Sequence, residues 1–231
     1  MENWEGISKM NNSEMNNSEI YSHVDHTLLK AYASWEEIKK LCDEAVTYRT
    51  ASVCIPPSYI KRVRETYGKD FRICTVIGFP LGYHTKDIKV RETLQAIEDG
   101  ADEIDTVINI GDVKNGDFDL VRSELKAIRE AVGEKILKVI IETCYLTDAE
   151  KREMCRIVTE AGADYIKTST GFGTEGAVLK DIFLFKEEIG PGVKIKAAGG
   201  MHSRQDFVEF LNAGCDRLGT SSAVKVLEKT D

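Results

Sequence analysis

Eight short apolar runs recur between residues 21 and 231, each separated from the next by an amphipathic helical pattern, and this alternation restricts the chain to α/β architecture. The runs span residues 23–28, 51–55, 72–77, 103–108, 136–141, 165–169, 193–197 and 216–219. Several are continuously apolar, the pattern of parallel strands covered on both faces. Eight β/α units in about 210 residues fit a compact (β/α)8 TIM barrel, near the small end of that fold. A doubly wound open sheet is the competing arrangement. It requires a glycine-rich dinucleotide turn after the first strand, and none follows Leu29.

The punctuation between the runs points the same way. Ser34 with Glu37, and Thr147 with Glu150, have the spacing of capping boxes, in which a hydroxyl accepts from an orphan N–H and the glutamate reaches back. Ser203 with Asp206 is a weaker version. Gly68, Gly100, Gly133, Gly162, Gly190 and Gly214 close helical patterns, which predicts a left-handed residue after each helix. Three of these glycines belong to a repeat, Gly100-Ala101-Asp102, Gly162-Ala163-Asp164 and Gly214-Cys215-Asp216, placed before the fourth, sixth and eighth runs. The spacings of 62 and 52 residues correspond to two β/α units each.

A formal net charge of −8 excludes a general affinity for nucleic acid, which needs a basic footprint. No apolar run reaches the roughly 18–20 residues of a membrane span. The six cysteines (42, 54, 74, 144, 155 and 215) form no C-x-x-C pair, and read as buried thiols of a reducing, cytoplasmic compartment. Residues 1–20 are polar and carry a direct repeat, which predicts a disordered extension ahead of a single domain over 21–231.

In a barrel of this kind chemistry gathers at the C-terminal ends of the strands. Lys167 ends the sixth run and Lys196 the seventh. Lysines with apolar neighbours are desolvated, which favours the neutral amine, and a second ammonium nearby pushes the same way. Either lysine could be the nucleophile on this ground. Asp105 lies among isoleucines and valines of the fourth run, sharing a face with Glu103 and Val107. It is either a salt-bridged core acid or an acid/base group beside the lysines. Asp25 on the first run is suited to support a lysine electrostatically. Loops rich in glycine and hydroxyl groups follow the last three runs, around Thr168, Gly171 and Gly173, then Gly199 and Gly200, then Ser221 and Ser222. Backbone N–H groups there suit an anion, and the loops after strands seven and eight are the recurrent phosphate site of the fold. The four histidines are too scattered to suggest a metal site.

Taken in order, Asp25-His26-Thr27-Leu28-Leu29, Val76-Ile77-Gly78-Phe79-Pro80-Leu81-Gly82, Glu103-Ile104-Asp105, Val139-Ile140-Ile141-Glu142-Thr143, Lys167-Thr168-Ser169-Thr170-Gly171-Phe172, Lys196 with Gly199-Gly200, and Gly219-Thr220-Ser221-Ser222 resemble the deoxyribose-phosphate aldolase family over nearly all of residues 21–228. The resemblance implies a barrel enzyme, homodimeric and without metal or organic cofactor, that reversibly cleaves 2-deoxyribose 5-phosphate to glyceraldehyde 3-phosphate and acetaldehyde. It implies that Lys167 forms the Schiff base, that Lys196 tunes it and assists proton transfer, that Asp105 is the acid/base group, and that the glycine and serine loops hold the phosphate. Ala198, Met201, His202 and Glu175 depart from the family's usual residues near those loops.

Overall fold

The computed structural model describes residues 15–229. Strands β1 (Val24–Thr27), β2 (Ser52–Ile55), β3 (Ile73–Ile77), β4 (Glu103–Val107), β5 (Ile136–Ile140), β6 (Tyr165–Lys167), β7 (Lys194–Ala198) and β8 (Arg217–Thr220) run parallel in chain order. β8 pairs with β1, so the barrel is closed and the open-sheet alternative falls. The helices of the described residues are α1 (Asn17–Ser22), α2 (Trp35–Tyr48), α3 (Ile60–Tyr67), α4 (Lys86–Asp99), α5 (Ile110–Asn115), α6 (Phe118–Val132), α7 (Asp148–Glu160), α8 (Leu179–Glu188), α9 (Arg204–Ala213) and α10 (Ala223–Leu227). None of them is long and apolar enough to cross a membrane.

Strand pleating sends alternate residues to opposite sides of the barrel wall. The outward set, including Val53, Ile73, Ile104, Leu137, Val139, Ile166, Ile195 and Leu218, packs with the buried faces of the helices into one large apolar cluster. Burying each such side chain stabilises the fold by roughly 1.5–3 kcal/mol. The inward set contributes a separate small cluster, Cys54, Cys74 and Val76, with Leu29 and Phe79 against it. Most of the remaining inward positions are ionisable.

Helix ends follow their residues. Ser34, Thr147 and Ser203 each accept from the backbone N–H three residues on while the acid there returns a bond, so the Ser203 box is complete. Gly68, Gly100, Gly133 and Gly214 cap helices at positive φ. Gly190 differs, because α8 stops at Glu188 and its C-cap, Ile189, is extended. A Cβ at Gly190 would lie 2.3 Å from Thr159 Cγ2, so glycine is needed there for close packing against α7.

The repeated aspartates have a common task at the N-terminal end of the barrel. Asp102, Asp164 and Asp216 each accept, through a carboxylate oxygen, an N–H from the first two residues of the preceding strand, from Ile73 at 3.0 Å, Leu137 at 2.8 Å and Ile195 at 3.1 Å. Their own N–H groups donate back to Ile73, Leu137 and Ile195 carbonyls at 2.8, 2.9 and 2.9 Å. Each repeat therefore stitches an odd-numbered strand to the even-numbered one it begins.

The N-terminal boundary is corrected. Residues 17–20, read as part of a disordered extension, belong to α1. Asn16 caps it by accepting from Glu19 N at 2.9 Å, Ile20 and Tyr21 are buried, and Tyr21 stacks on Tyr48 with centroids 4.7 Å apart. Polar composition hid a cap followed by two apolar anchors. The earlier part of that extension, residues 1–14, lies outside the described residues.

Candidate active site

β4, β5, β6 and β7 each aim charged side chains into the barrel, and strand register decides which of them meet. Asp105 is aligned with Lys138, Lys167 with Lys196, and Lys196 with Arg217. Asp25, Glu103, Asp105, Lys138 and Lys196 are fully buried, and Lys167 is 3% exposed. Ions removed this completely from water persist only when paired and hydrogen-bonded.

They are paired densely. Asp105 Oδ2 accepts from Lys167 Nζ at 2.8 Å and from Lys196 Nζ at 2.7 Å. Its Oδ1 accepts from Lys138 Nζ at 2.9 Å and from the Cys74 thiol at 3.1 Å. Lys196 Nζ also donates to Asp25 Oδ2 at 2.5 Å, while Asp25 Oδ1 accepts from Ser52 Oγ at 2.6 Å and from Arg217. Lys138 Nζ lies 2.5 Å from Glu103 Oε2, which Arg217 Nη1 approaches at 3.1 Å. The structure thus brings Lys167, Lys196, Asp105 and Asp25 into one network.

The electrostatics single out Lys196. Burial depresses the Lys196 ammonium, but the Asp105 and Asp25 carboxylates outweigh it and hold the group above the ordinary lysine range. Lys196 is therefore the lysine of the pair that stays charged, which desolvation alone did not decide. Burial raises Asp105, yet Lys138, Lys167 and Lys196 together bring it well below the usual carboxylate value. Asp25 behaves alike under Lys196, Lys138 and Arg217.

Above the cluster a cavity of about 350 Å³ opens at the C-terminal mouth, lined by the loops after β1, β6, β7 and β8. Of the network, only Lys167 reaches its wall. Gly171, Gly199, Gly200, Ser221 and Ser222 line it as well. Gly199 and Gly200 both have positive φ, and a Cβ on neighbouring Gly176 would sit 2.4 Å from the Gly199 carbonyl carbon, so the two loops touch backbone to backbone. Two predicted anion ligands are not brought to this wall. Thr168 is fully buried, its hydroxyl accepting from Ala198 N at 3.1 Å and so bracing β6 to β7. Gly173 faces the end of β5, where a Cβ would meet Cys144 Sγ at 2.9 Å and the Glu142 carboxyl carbon at 3.1 Å.

Sequence reasoning missed Lys138, Arg217 and Glu142. Lys138 had a visible signal, being the one charge inside Ile136-Leu137-Lys138-Val139-Ile140. Arg217 and Glu142 carried none, since their partners lie far away along the chain. Two groups of side chains bring metal-ligating atoms within 4.8 Å of one another, Cys54 with Cys74 and Asp105, and Asp25 with Cys74 and Glu103. The cation position of both is served by Lys138, whose Nζ lies 3.3 Å from Cys74 Sγ and bonds Asp105 and Glu103. A larger cavity, about 450 Å³, lies at the opposite end among Arg49, Arg64, Arg72 and Asp102. It holds none of the lysine–aspartate network, so the mouth is where covalent chemistry is possible.

Residues 13–221 match a model described as DeoC/LacD family aldolase. A deoxyribose-phosphate aldolase of Clostridium botulinum (strain Alaska E43 / Type E3) is 64% identical over 214 residues, covering 93% of this chain and 97% of its own. One from Clostridioides difficile (strain 630) is 59% identical over 212 residues, covering 92% and 97%. Among solved structures, the tetrameric deoxyribose phosphate aldolase of Aeropyrum pernix superposes with a TM-score of 0.84 at 32% identity, covering 93% of this chain and 92% of that one.

Proposed function

The chain belongs to the DeoC/LacD family of aldolases, and from that membership we infer that it reversibly cleaves 2-deoxyribose 5-phosphate to glyceraldehyde 3-phosphate and acetaldehyde through a Schiff base on Lys167. One observation carries the choice of lysine. Lys167 alone among the buried cations reaches the mouth cavity, and it bonds a single carboxylate where Lys196 bonds two. Asp105, the one carboxylate that Lys167 bonds, is shared with Lys138 and Lys196.

In this reading the neutral Lys167 amine attacks the aldehyde carbon, and the carbinolamine loses water to give an iminium. The iminium accepts the electron pair of the breaking C–C bond as the neighbouring hydroxyl loses its proton, and glyceraldehyde 3-phosphate leaves. Protonation of the remaining enamine and hydrolysis release acetaldehyde and restore the amine. Asp105 and Lys196 move the protons: the carboxylate lies between the neutral Lys167 amine and the Lys196 ammonium, 2.8 and 2.7 Å from their Nζ atoms, so a proton can pass from one to the other through it. Backbone N–H groups around Gly171, Gly199, Gly200 and Ser221 hold the phosphate and set which bond lies over Lys167.

Buried thiols, five of the six cysteines, are consistent with a cytoplasmic protein, and the Aeropyrum relative's tetramer supports a homo-oligomer here. The test of the reaction is reductive trapping. With acetaldehyde and borohydride, the wild type gains a mass adduct that maps to Lys167, and Lys167→Ala gains none. An adduct that survives Lys167→Ala overturns the assignment, and cleavage with no adduct in the wild type overturns the covalent mechanism in favour of a base-only reaction at Asp105.

A further inference from the structure

Glu142 follows β5, and its backbone is left-handed at φ 52°, one of two non-glycine residues of the described chain in that region. A residue with a long side chain is held there only when its surroundings over-determine it. It is 2% exposed, and every bond its carboxylate makes goes to one residue of the next strand's loop. Thr170 N donates to Oε1 at 3.1 Å and to Oε2 at 3.3 Å, and the Thr170 hydroxyl donates to Oε2. That hydroxyl accepts in turn from Phe172 N at 3.0 Å. Gly173 closes over the same carboxyl group with no room for a side chain. Thr170 and Phe172 both line the mouth cavity beside Lys167.

A threonine hydroxyl has one hydrogen and two lone pairs. Here the hydrogen is committed to Glu142 and one lone pair to Phe172, which leaves a single lone pair for the cavity. We propose that Glu142 is a positioning residue that fixes Thr170 as a pure acceptor at the wall of the Lys167 pocket, so that the pocket selects substrates bearing a hydroxyl donor there. A substrate hydroxyl satisfies the open lone pair, whereas a carbonyl or ether oxygen at that position leaves two acceptors facing each other. Burial raises the Glu142 carboxyl overall, and the Thr170 bonds and the charge of Lys167 limit that rise.

The inference rests on Lys167 being the Schiff-base residue, and the experiment separates the two. Acetaldehyde has no hydroxyl, so its trapping on Lys167 by borohydride does not need an oriented Thr170, while cleavage of 2-deoxyribose 5-phosphate does. In Glu142→Gln the side-chain amide donates to the Thr170 oxygen and turns its hydrogen toward the cavity. The expected result is a loss of about 10- to 100-fold in kcat/KM for cleavage, with acetaldehyde trapping within about twofold of wild type. Glu142→Gly, which suits the left-handed backbone and so keeps the turn, shows the same split. Cleavage within twofold of wild type in both Glu142 variants, or trapping lost in step with cleavage, overturns the proposal. Failure of the wild type to trap acetaldehyde would instead count against the Lys167 mechanism.

Discussion

Aspartates at the two ends of the barrel show how the same side chain does different work. At the N-terminal end Asp102, Asp164 and Asp216 bind backbone N–H groups of the neighbouring strand, and two of them also bind an arginine at the rim, Arg64 for Asp102 and Arg129 for Asp164. Deeper in, Asp25 and Asp105 bind side chains alone, and those are chiefly lysines and an arginine buried with them. A carboxylate that accepts from the backbone fixes where a strand begins. A carboxylate that accepts from ammonium groups fixes where protons reside. The first role builds the scaffold, and the second prepares it for chemistry.

Acid titration probes this contrast most strongly. Asp25 and Asp105 are held below their unfolded values, so the stability they contribute is present above the unfolded carboxylate range and is lost as pH falls through their folded values. Glu124 and Glu142 have the opposite sign, their raised values favouring the fold at low pH, but Asp102 is lowered along with Asp25 and Asp105. The urea midpoint is expected to stay level from pH 7 to about pH 5 and then to fall steeply. A midpoint still level at pH 3 would show that the interior cluster contributes little.

Lys196→Leu comes next. It leaves Asp25 and Asp105 each short of a buried partner, a loss of about 3–5 kcal/mol in a urea melt. It also slows acetaldehyde trapping near neutral pH, because the network loses its fixed cation. Trapping at the wild-type rate would remove Lys196 from the chemistry and leave it a purely structural ion.

Asp164→Ala is the smaller, complementary change. It strands the Leu137 N–H and removes the one carboxylate that Arg129 bonds, for about 1–3 kcal/mol. KM and kcat are expected to stay near wild type at a temperature where the variant is folded. A large change in kcat would mean that the two ends are coupled, and the division between scaffold and chemistry would fail.

The same contrast explains what the sequence could tell. Outward strand positions are apolar and periodic, so all eight strands were legible to within a residue or two, as were the three helix caps, whose partners lie three residues away. The Gly-x-Asp repeat was visible as a boundary marker, although its stitching bond was not, because the accepted N–H lies 21 to 29 residues back. Inside the barrel, Lys167, Lys196 and Asp105 stood out as charges at strand ends or within apolar runs. The direction of the Lys196 shift did not, because it depends on Asp25, 171 residues away along the chain. Thr168 and Gly173 had the composition of an anion loop, but composition does not say which way a hydroxyl or a glycine faces. Glu142 was read only as part of a motif, since its left-handed backbone and its grip on Thr170 are tertiary facts.

The correction at the N-terminus has a topological consequence. Asn17 Nδ2 donates to the Leu227 carbonyl at 3.1 Å, and Arg204 reaches Asn17 Oδ1 at 3.3 Å. α1 and the end of α10 therefore lie side by side, and with β8 paired to β1 the described polypeptide forms a ring in space. Where the ring is cut becomes arbitrary as far as packing is concerned. A short tether joining the two helices, with new ends opened at Gly133 between α6 and β5, should give a circularly permuted enzyme that folds with the same register and the same interior charges.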